Sequence, residues 1–399
     1  MAETADFVVV GAGAVGLAVA RALRGAHPAA KIVVLEKEDA PGRHASGRNS
    51  GVLHSGVYYP PQTLKARFCA EGARRWRVFA EEKKIPCRQG GKVILAGTAD
   101  GRGLAALEAN ARAGGVRVEA LSAEDVRRVE PHAAPRPGLW CRDTAVIDAA
   151  AATRALAEDL ARSGVAIRTG QRALDRQPAD NLLRTEAGET FSYGRLYNCA
   201  GAHADRLARA YGVGEEYALI PFKGLYMKLR PERASLVRES LYPVPDPAFP
   251  FLGVHLTRSV AGDVYVGPTA IPAFGAENYR GARGVTPGEF FVTAGRLLRL
   301  MAARDGQFRR LAAREMALYL KPMFVAAARR LVPDLRAGDL EPTPKAGIRP
   351  QLVRRTDHRL EMDFVVRHTP ATTHVLNAIS PAFTSAFPFG EFVVSGAAA

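Results

Sequence analysis

Cysteine is scarce in this sequence, and long apolar runs are absent from it. The 399 residues include four cysteines (Cys69, Cys87, Cys141 and Cys199), and no two of them form a C-x-x-C pair. This spacing argues against a zinc site or a disulfide scaffold and favours a reducing compartment. No apolar run is long enough to span a bilayer, and the first apolar strand begins too close to Met1 to leave room for a signal peptide. We therefore predict a cytoplasmic protein without a metal site.

Acidic residues are also under-represented. The chain has 40 acidic against 55 basic residues, a formal net charge of +15 at pH 7, and ten of the basic residues are lysine. Such a balance suits a nucleic acid, an anionic membrane surface or an acidic substrate, but an arginine-rich proteome with solvated basic faces explains it as well. Because no nucleic-acid recognition motif accompanies the charge, we expect no nucleic-acid partner.

The most informative stretch lies at the N-terminus. A β-branched apolar run at 6–10, typical of a buried parallel strand, leads directly into G-x-G-x-x-G. Gly11 permits a tight turn, Gly13 lets the backbone approach a pyrophosphate, and Gly16 lets the next helix pack on the strand. A second apolar strand ends in Glu36, whose carboxylate can accept hydrogen bonds from an adenosine ribose. Although the motif alone could be an ordinary glycine turn, the full register predicts a Rossmann-like unit that binds an adenine dinucleotide.

The chain length and its patterning predict two domains. Hydrophobic residues make up 47% and charged residues 24%, which is typical of a globular protein, and 399 residues are too many for one simple core. We predict an α/β fold (α+β overall) in which residues 1–87, 142–215 and 345–399 form the discontinuous Rossmann-like domain. Residues 88–141 and 216–344 are predicted to form a substrate domain with a mostly antiparallel sheet, because proline-rich, alternating sequence begins near residue 216.

These pieces resemble the FAD oxidoreductases of the D-amino-acid-oxidase type, within the glutathione-reductase-like group. Residues 198–205 (NCAGAHAD) resemble the second FAD motif of that group, and residues 347–350 (GIRP) resemble the motif whose arginine binds the substrate carboxylate. Within the group, the chain is most similar to the L-2-hydroxyglutarate dehydrogenases and oxidases. That similarity is specific in the long block 46–67, and shorter matches follow at 220–224, 253–258, 267–268, 324–325 and 331–333.

The sequence departs from the family pattern where substrate or flavin is expected. The family usually has arginine at Lys223, an acid at Leu225 and asparagine at Thr269, and the turn that holds Phe383 is less bulky in the family. These departures leave FAD binding untouched and concern the identity of the hydroxy acid.

The resemblance and the glycine-rich loops together imply a set of FAD contacts. The turn at 380–385 is expected to place helix-start N–H groups near the flavin pyrimidine oxygens, where they would stabilise reduced flavin, although a plain helix cap is the alternative. The predicted cofactor-binding residues are Gly11, Gly13, Ala14, Val15, Gly16, Glu36, Lys37, Ser46, Asn49, Ser50, Gly51, Ala173, Ala200, Gly201, Asp205, Gly347, Pro381, Ala382, Phe383, Thr384 and Ser385.

Three residues are the candidates for catalysis. The resemblance implies that Arg349 holds the substrate carboxylate by a bidentate, charge-assisted pair. His54 and His255 are the candidate bases, because imidazole titrates near neutral pH. A surface ion pair for the arginine and a hydrogen-bonding structural role for each histidine are the alternatives. The candidates for holding a second carboxylate are Tyr58, Lys223, Tyr226 and Arg258, and each could instead support the fold.

The implied activity is FAD-dependent oxidation of an L-2-hydroxy acid, with L-2-hydroxyglutarate and its product 2-oxoglutarate as the first choice. Hydride would pass from C2 to flavin N5, and electrons would then leave to a quinone-type acceptor or to oxygen. The alternative within the same fold is an amine or amino-acid oxidase. Two further alternatives are a flavin-binding protein that acts on RNA and a dehydrogenase that uses only nicotinamide.

A basic helical block at 291–331 bears on the electron acceptor. It has two acids, Asp305 and Glu315, against nine basic residues at positions 296, 299, 304, 309, 310, 314, 321, 329 and 330. Such a face could lie on an anionic membrane, peripherally on its inner side, and reduce a quinone there. A solvated face packed on one side is the alternative.

Overall fold

The computed structural model describes residues 2–97, 101, 103–174, 181–246, 251–302 and 307–396. The strands in these residues are β1 (Glu3–Val10), β2 (Ile32–Leu35), β3 (Val52–Leu53), β4 (Cys87–Gln89), β5 (Lys92–Leu95), β6 (Glu119–Leu121), β7 (Gly138–Cys141), β8 (Ala145–Ile147), β9 (Ala166–Arg168), β10 (Leu182–Arg184), β11 (Thr190–Asn198), β12 (Tyr217–Leu229), β13 (Ser240–Pro243), β14 (His255–Arg258), β15 (Val264–Gly267), β16 (Ile271–Pro272), β17 (Leu340–Arg354), β18 (Val365–His368) and β19 (Thr372–Asn377).

The helices begin and end as follows: α1 (Ala14–Ala26), α2 (Ala45–Arg48), α3 (Leu64–Glu82), α4 (Leu104–Ala113), α5 (Ala123–Val129), α6 (Ala149–Arg162), α7 (Ala204–Ala210), α8 (Pro287–Ala302), α9 (Gln307–Ala317), α10 (Lys321–Arg329) and α11 (Ala386–Ser395). The predicted helical block is therefore three helices, α8 to α10. Arg304 and Asp305 of that block lie outside the described residues.

The first sheet has the strand order β18-β19-β11-β1-β2-β9, with β10 paired to β11. The pairs from β19 to β9 are parallel. Val9 belongs to a core formed with α1, α3, α6 and α11, whereas Val8 and Val10 belong to a second core on the other face. Because both faces are covered, the N-terminal strand carries the continuous apolar run that the sequence shows.

The second sheet is mostly antiparallel, in the order β16-β12-β15-β14-β13-β5-β7-β6, with β17 paired along β12. Only β13 and β5 pair in parallel within the described residues. The predicted combination of a Rossmann-like sheet with an antiparallel one is confirmed. Because β17 stays paired with β12 from Leu340 to Arg354, the chain leaves this sheet later than the predicted 345, and we propose a boundary after Arg354.

A small antiparallel sheet, β3-β8-β4, lies beside these two sheets. Its first strand ends at Leu53, so that His54 follows directly. Thr384 connects this strand to the turn before α11, because its Oγ1 donates to the carbonyl of Val52 at 3.3 Å and accepts the N–H of His54 at 3.3 Å. The two ends of the chain are thereby brought to one site.

Candidate active site

A cavity of about 480 Å³ lies where the carboxyl ends of the parallel strands face the second sheet. Gly11, Glu36 and Cys199 line it from the ends of β1, β2 and β11, whereas Tyr226 and His255 line it from β12 and β14. Ligands of open α/β sheets bind at this edge, and the volume is within the usual range for a ligand pocket.

The glycine motif forms a cradle in which side chains have no room. Gly11 has a φ of +105°, and a Cβ there would lie 2.5 Å from the carbonyl oxygen of Cys199. A Cβ on Gly16 would lie 1.9 Å from the carbonyl oxygen of Gly11. Glu36 is buried and accepts the N–H of Ala12 at 2.9 Å, which leaves its carboxylate further lone pairs for a ribose. The cradle thus fits an adenine dinucleotide.

Most of the predicted cofactor residues line this cavity. They are Gly11, Gly13, Ala14, Val15, Gly16, Glu36, Lys37, Ser46, Asn49, Ser50, Ala173, Ala200, Gly201, Gly347, Pro381, Ala382, Phe383 and Thr384. Their positions come from both ends of the chain, as the resemblance implied. Whether each one contacts FAD stays a prediction.

Three predicted cofactor residues do not line the cavity. Gly51 has a φ of +74°, and a Cβ there would lie 2.4 Å from the carbonyl oxygen of Ile147, so this glycine permits close packing of β3 and β8. Asp205 is buried, accepts the N–H of Leu219 at 3.2 Å and pairs with a neighbouring arginine, so it attaches α7 to β12. Ser385 is fully buried at the start of α11, and its side chain packs inside the protein.

The bulky Phe383 of the flavin-side turn is accommodated by an aromatic stack. Its ring lies parallel to that of Trp76 with the centroids 4.7 Å apart, and the Trp76 Nε1–H donates to the Phe383 carbonyl at 2.7 Å. Phe387 packs against the same indole at 4.5 Å. This departure from the family pattern therefore fixes the turn without blocking the cavity, which Phe383 still lines.

His54, His255 and Arg349 all line the cavity, as predicted from the sequence. The Nδ1–H of His255 donates to the carbonyl of Gly253 at 2.8 Å, because a carbonyl can only accept. Nε2 of His255 is therefore the unprotonated nitrogen of the neutral ring, the atom that can take a proton. In His54, Nδ1 is buried and has no hydrogen-bond partner among the described residues.

Burial keeps both imidazoles neutral at pH 7. It lowers the pKa of His255 to about 3, with the hydrogen bond to Gly253 opposing it and the charges of Lys92 and Arg349 adding to it. Burial also lowers the pKa of His54 well below its ordinary value, and the same two cations and His255 contribute. An uncharged imidazole is the form that a general base requires.

Arg349 is a half-buried cation that lines the cavity. Its guanidinium lies 5.1 Å from the Phe251 ring centroid. Burial lowers its pKa, while Tyr226, Tyr59 and Glu315 act in the opposite direction. A partly desolvated cation in a ligand cavity gains from a bound carboxylate, so the position suits substrate binding.

Among the predicted substrate residues, Tyr226 lines the cavity, whereas Lys223 and Arg258 do not. Alternate residues of a strand point to opposite faces of its sheet. Phe222 and Gly224 therefore face the cavity and Lys223 faces away from it. The Lys223 Nζ donates to the Asn278 Oδ1 at 3.0 Å. A register shift between Leu225 and Met227 marks a bulge beside Tyr226.

Arg258 and Tyr58 contact other parts of the protein. Arg258 lies three residues after His255 in β14 and so faces the other side of the sheet, where its guanidinium donates to the carbonyls of Val237 and Gly262 at 2.6 and 3.0 Å. Tyr58 is half-buried, with its ring centroid 4.3 Å from Nζ of Lys92. We correct both assignments, because neither side chain lines the cavity.

Several lining residues were not among the predicted site residues. Glu315 of α9 is 2% exposed and accepts the N–H of Ala270 at 2.8 Å. Arg48 lies over the Tyr279 ring at 4.2 Å, and His44 Nδ1 is 2.7 Å from the Tyr279 hydroxyl. The polar loop at 37–51 indicated donors in this region, but no sequence spacing connects it to residue 279 or to Glu315.

A carboxylate and histidine cluster lies at the same edge. One ligand atom from each of Glu38, His44 and Glu277 falls within 4.8 Å of the others. Nζ of Lys37 contacts Glu38 and lies 2.8 Å from Glu277. The lysine thus already supplies a cation to this cluster, and we assign no metal to it.

The chain matches the family model described as FAD dependent oxidoreductase over residues 6–395. It belongs to that family. The predictions of an FAD cofactor and an oxidoreductase are confirmed, and the nicotinamide-only alternative is wrong. The FAD cradle described above fits this assignment, since its glycine positions admit no side chain.

Relatives of this flavoprotein match along nearly its whole length. The chain is 36% identical over 395 residues to a protein named L-2-hydroxyglutarate dehydrogenase from Escherichia coli K12, covering 98% of this chain and 92% of the relative. It is 32% identical over 416 residues to the mitochondrial L-2-hydroxyglutarate dehydrogenase of Homo sapiens, covering 97% and 87% of the two chains.

Solved structures show the same fold at lower identity. An FAD-bound L-alpha-glycerophosphate oxidase from Mycoplasma pneumoniae has a TM-score of 0.77 and 22% identity, covering 98% of this flavoprotein and 94% of that chain. A glycine oxidase from Geobacillus kaustophilus has a TM-score of 0.71 and 18% identity, covering 98% and 94%. No helix in the described part of the chain is long and apolar enough to cross a membrane.

Proposed function

We propose that this flavoprotein oxidises L-2-hydroxyglutarate to 2-oxoglutarate. The observation that carries the proposal is that Arg349 and His255, whose Nε2 is unprotonated, both line the cavity that holds the dinucleotide cradle. The full-length similarity to proteins named for this substrate favours a hydroxy dicarboxylate over an amine. When bound, FAD supplies the acceptor for the hydride that leaves C2.

The residues of the chain then have three tasks. Arg349 holds the 1-carboxylate and so orients the single C2 hydrogen of the substrate toward the cofactor. His255 accepts the hydroxyl proton on Nε2, with its tautomer set by Gly253. A bound carboxylate offsets the positive charge of Arg349, which raises the pKa of both histidines toward the working pH at the moment when a base is needed.

Anaerobic mixing with candidate substrates tests the proposal. L-2-hydroxyglutarate should bleach the yellow absorbance of the bound flavin, while the D enantiomer, L-lactate, glycine and sarcosine should leave it oxidised or reduce it far more slowly. Faster reduction by an amine than by any hydroxy acid would overturn the proposal in favour of the oxidase alternative.

Variants at the two histidines test the assignment of the base. His255→Asn should lower the rate of flavin reduction by about 10²–10⁴-fold with little change in substrate affinity, because it removes the proton acceptor. His54→Asn provides the comparison, since that side chain lines the same cavity. A greater loss in His54→Asn would transfer the role of base to His54.

We further propose that α8, α9 and α10 form a membrane-facing surface through which electrons reach a quinone. Nine of the eleven exposed large apolar side chains among the described residues lie here: Phe290, Phe291, Val292, Leu298, Met301, Met316, Tyr319, Leu320 and Met323. The described part of the same segment carries seven exposed basic residues: Arg299, Arg309, Arg310, Arg314, Lys321, Arg329 and Arg330. The carboxylates Glu289 and Glu315 of these helices are half-buried and buried. Apolar side chains within a basic rim suit an anionic lipid surface.

Vesicle binding tests this surface. The purified flavoprotein should sediment with phosphatidylglycerol vesicles at low salt and less with phosphatidylcholine vesicles, and the double variant Phe291→Ser/Leu320→Ser should stay in the supernatant. Val78→Ser is the matched control, because Val78 is 43% exposed and lies on α3. Equal sedimentation of the double variant and the wild type would contradict the proposed surface.

A further inference from the structure

Lys92 is a fully buried lysine that the chemistry above does not use. It begins β5, is 0% exposed, and its Nζ has no hydrogen-bond partner among the described residues. Lysine is almost never fully buried unless it is paired, because transferring an ammonium out of water is costly. A position that retains such a group therefore needs a physical reason.

The surroundings of Lys92 provide one. Its Nζ lies 4.3 Å from the Tyr58 ring centroid and 5.0 Å from the Tyr242 ring centroid, which is cation–π geometry. The Tyr242 ring stacks in turn on the His255 ring at 3.9 Å, with an angle of 21° between the planes. One phenol ring therefore separates the lysine from the proposed base.

We propose that Lys92 is a positioning residue for proton transfer, a buried ammonium that holds Tyr242 against His255 and keeps that imidazole uncharged. The inference rests on the proposed role of His255, and it explains why an unpaired lysine is kept behind the cavity. Lys92 does not line the cavity, so an arriving substrate does not neutralise it.

The cations that face this cluster lower the pKa of both imidazoles. Around His255, the cations are Lys92 and Arg349, and both lower its pKa in addition to burial. Around His54, Lys92 is the first cause after burial, followed by His255 and Arg349. Burial lowers the pKa of Lys92 itself, and the thiols of Cys141 and Cys69 oppose that shift. When a bound substrate carboxylate offsets the positive charge of Arg349, Lys92 is the cation that still disfavours premature protonation of His255.

The pH dependence of kcat/KM separates an electrostatic role from simple packing. Lys92→Met removes a charge that lies at most about 9 Å from the imidazole, so the acid limb of the profile should move up by about one pH unit. Lys92→Arg keeps the charge and should keep the wild-type profile. Lys83→Met is the matched control, because Lys83 also lies near an aromatic ring, with Nζ 5.7 Å from the Phe79 centroid, but is not among the groups that act on the pKa of His255. An unshifted profile in Lys92→Met would overturn the proposal.

A second measurement does not depend on turnover or on the folding of a neutral variant. Lysine labelled with ¹³C at Cε reports the charge on Nζ in the wild-type holoenzyme, and the Lys92 signal is the one missing from Lys92→Arg. A signal in the charged position at pH 7 supports the proposal, and a neutral amine at pH 7 overturns it. If L-2-hydroxyglutarate fails as substrate, the profile is recorded with whichever compound reduces the flavin, so failure of the proposed function and failure of this inference remain distinct.

Discussion

Replacing Arg349 with methionine should greatly weaken substrate binding while leaving the fold intact. The guanidinium is half-buried and lies 5.1 Å from the Phe251 ring centroid, and methionine fills a similar volume beside an aromatic ring. The variant leaves the substrate carboxylate without its partner. Truncating one member of a buried charge pair costs about 2–5 kcal/mol, and each 1.4 kcal/mol is tenfold, so the dissociation constant should rise by roughly thirty- to several-thousand-fold.

Rapid-mixing measurements of flavin reduction check this expectation. The substrate concentration that gives half the limiting rate should rise by that factor in the methionine variant. A second signature is expected in the pH profile, because loss of the guanidinium raises the pKa of both histidines and moves the acid limb of kcat/KM upward.

Arg354→Met is the matched control for this experiment. It lies on the same strand, but its side chain is 44% exposed and pairs with Glu361 at 2.8 Å, so its loss should cost no more than about 1 kcal/mol of stability and leave kinetics unchanged. An Arg349→Met enzyme with unchanged half-saturation and an unshifted profile would remove Arg349 from the carboxylate role.

Three further perturbations probe the cofactor site and the fold. Gly16→Ala should yield colourless protein, since its Cβ would lie 1.9 Å from a carbonyl oxygen. Gly25→Ala is the control and should keep the flavin absorbance, because a Cβ there has no atom within 4 Å. A yellow Gly16→Ala protein would refute the proposed dinucleotide cradle. Trp76→Phe should lower the free energy of unfolding by about 1–3 kcal/mol and weaken FAD retention, because a 2.7 Å hydrogen bond is lost. Trp140→Phe should not produce this loss, because the Trp140 Nε1 has no hydrogen-bond partner among the described residues. Urea titration compares the free energies of unfolding of the two variants. His374 is buried in its neutral form, and burial lowers its pKa to about 4. It therefore contributes about 3 kcal/mol to the free energy of unfolding above pH 6.5, and this contribution should be lost as the pH falls to 4. A free energy of unfolding that stays constant over this range would contradict the prediction.

The sequence predictions were more accurate where they depended on residues close together in the chain than where they depended on residues far apart. The cradle at Gly11 to Gly16 depends on neighbours in the chain, and the structure shows the close contacts that those glycines permit. Lys223 was assigned to the substrate site although the alternation of β12 puts Phe222 and Gly224 on the cavity side. Alternation in the sequence shows that Lys223 points away from Phe222 and Gly224, but which of the two faces meets the cavity depends on the tertiary structure.

The β-α-β unit, the dinucleotide cradle and the antiparallel character of the second sheet can be predicted from the amino-acid sequence, because turn geometry and strand periodicity are local properties of the chain. Which distant side chains share the cavity depends on the folded chain. The fold brings Glu315 and His255, which stacks on Tyr242, to the same cavity as Arg349, and it directs the guanidinium of Arg258 to a backbone carbonyl. These placements depend on strand pairing and register between segments far apart in the chain.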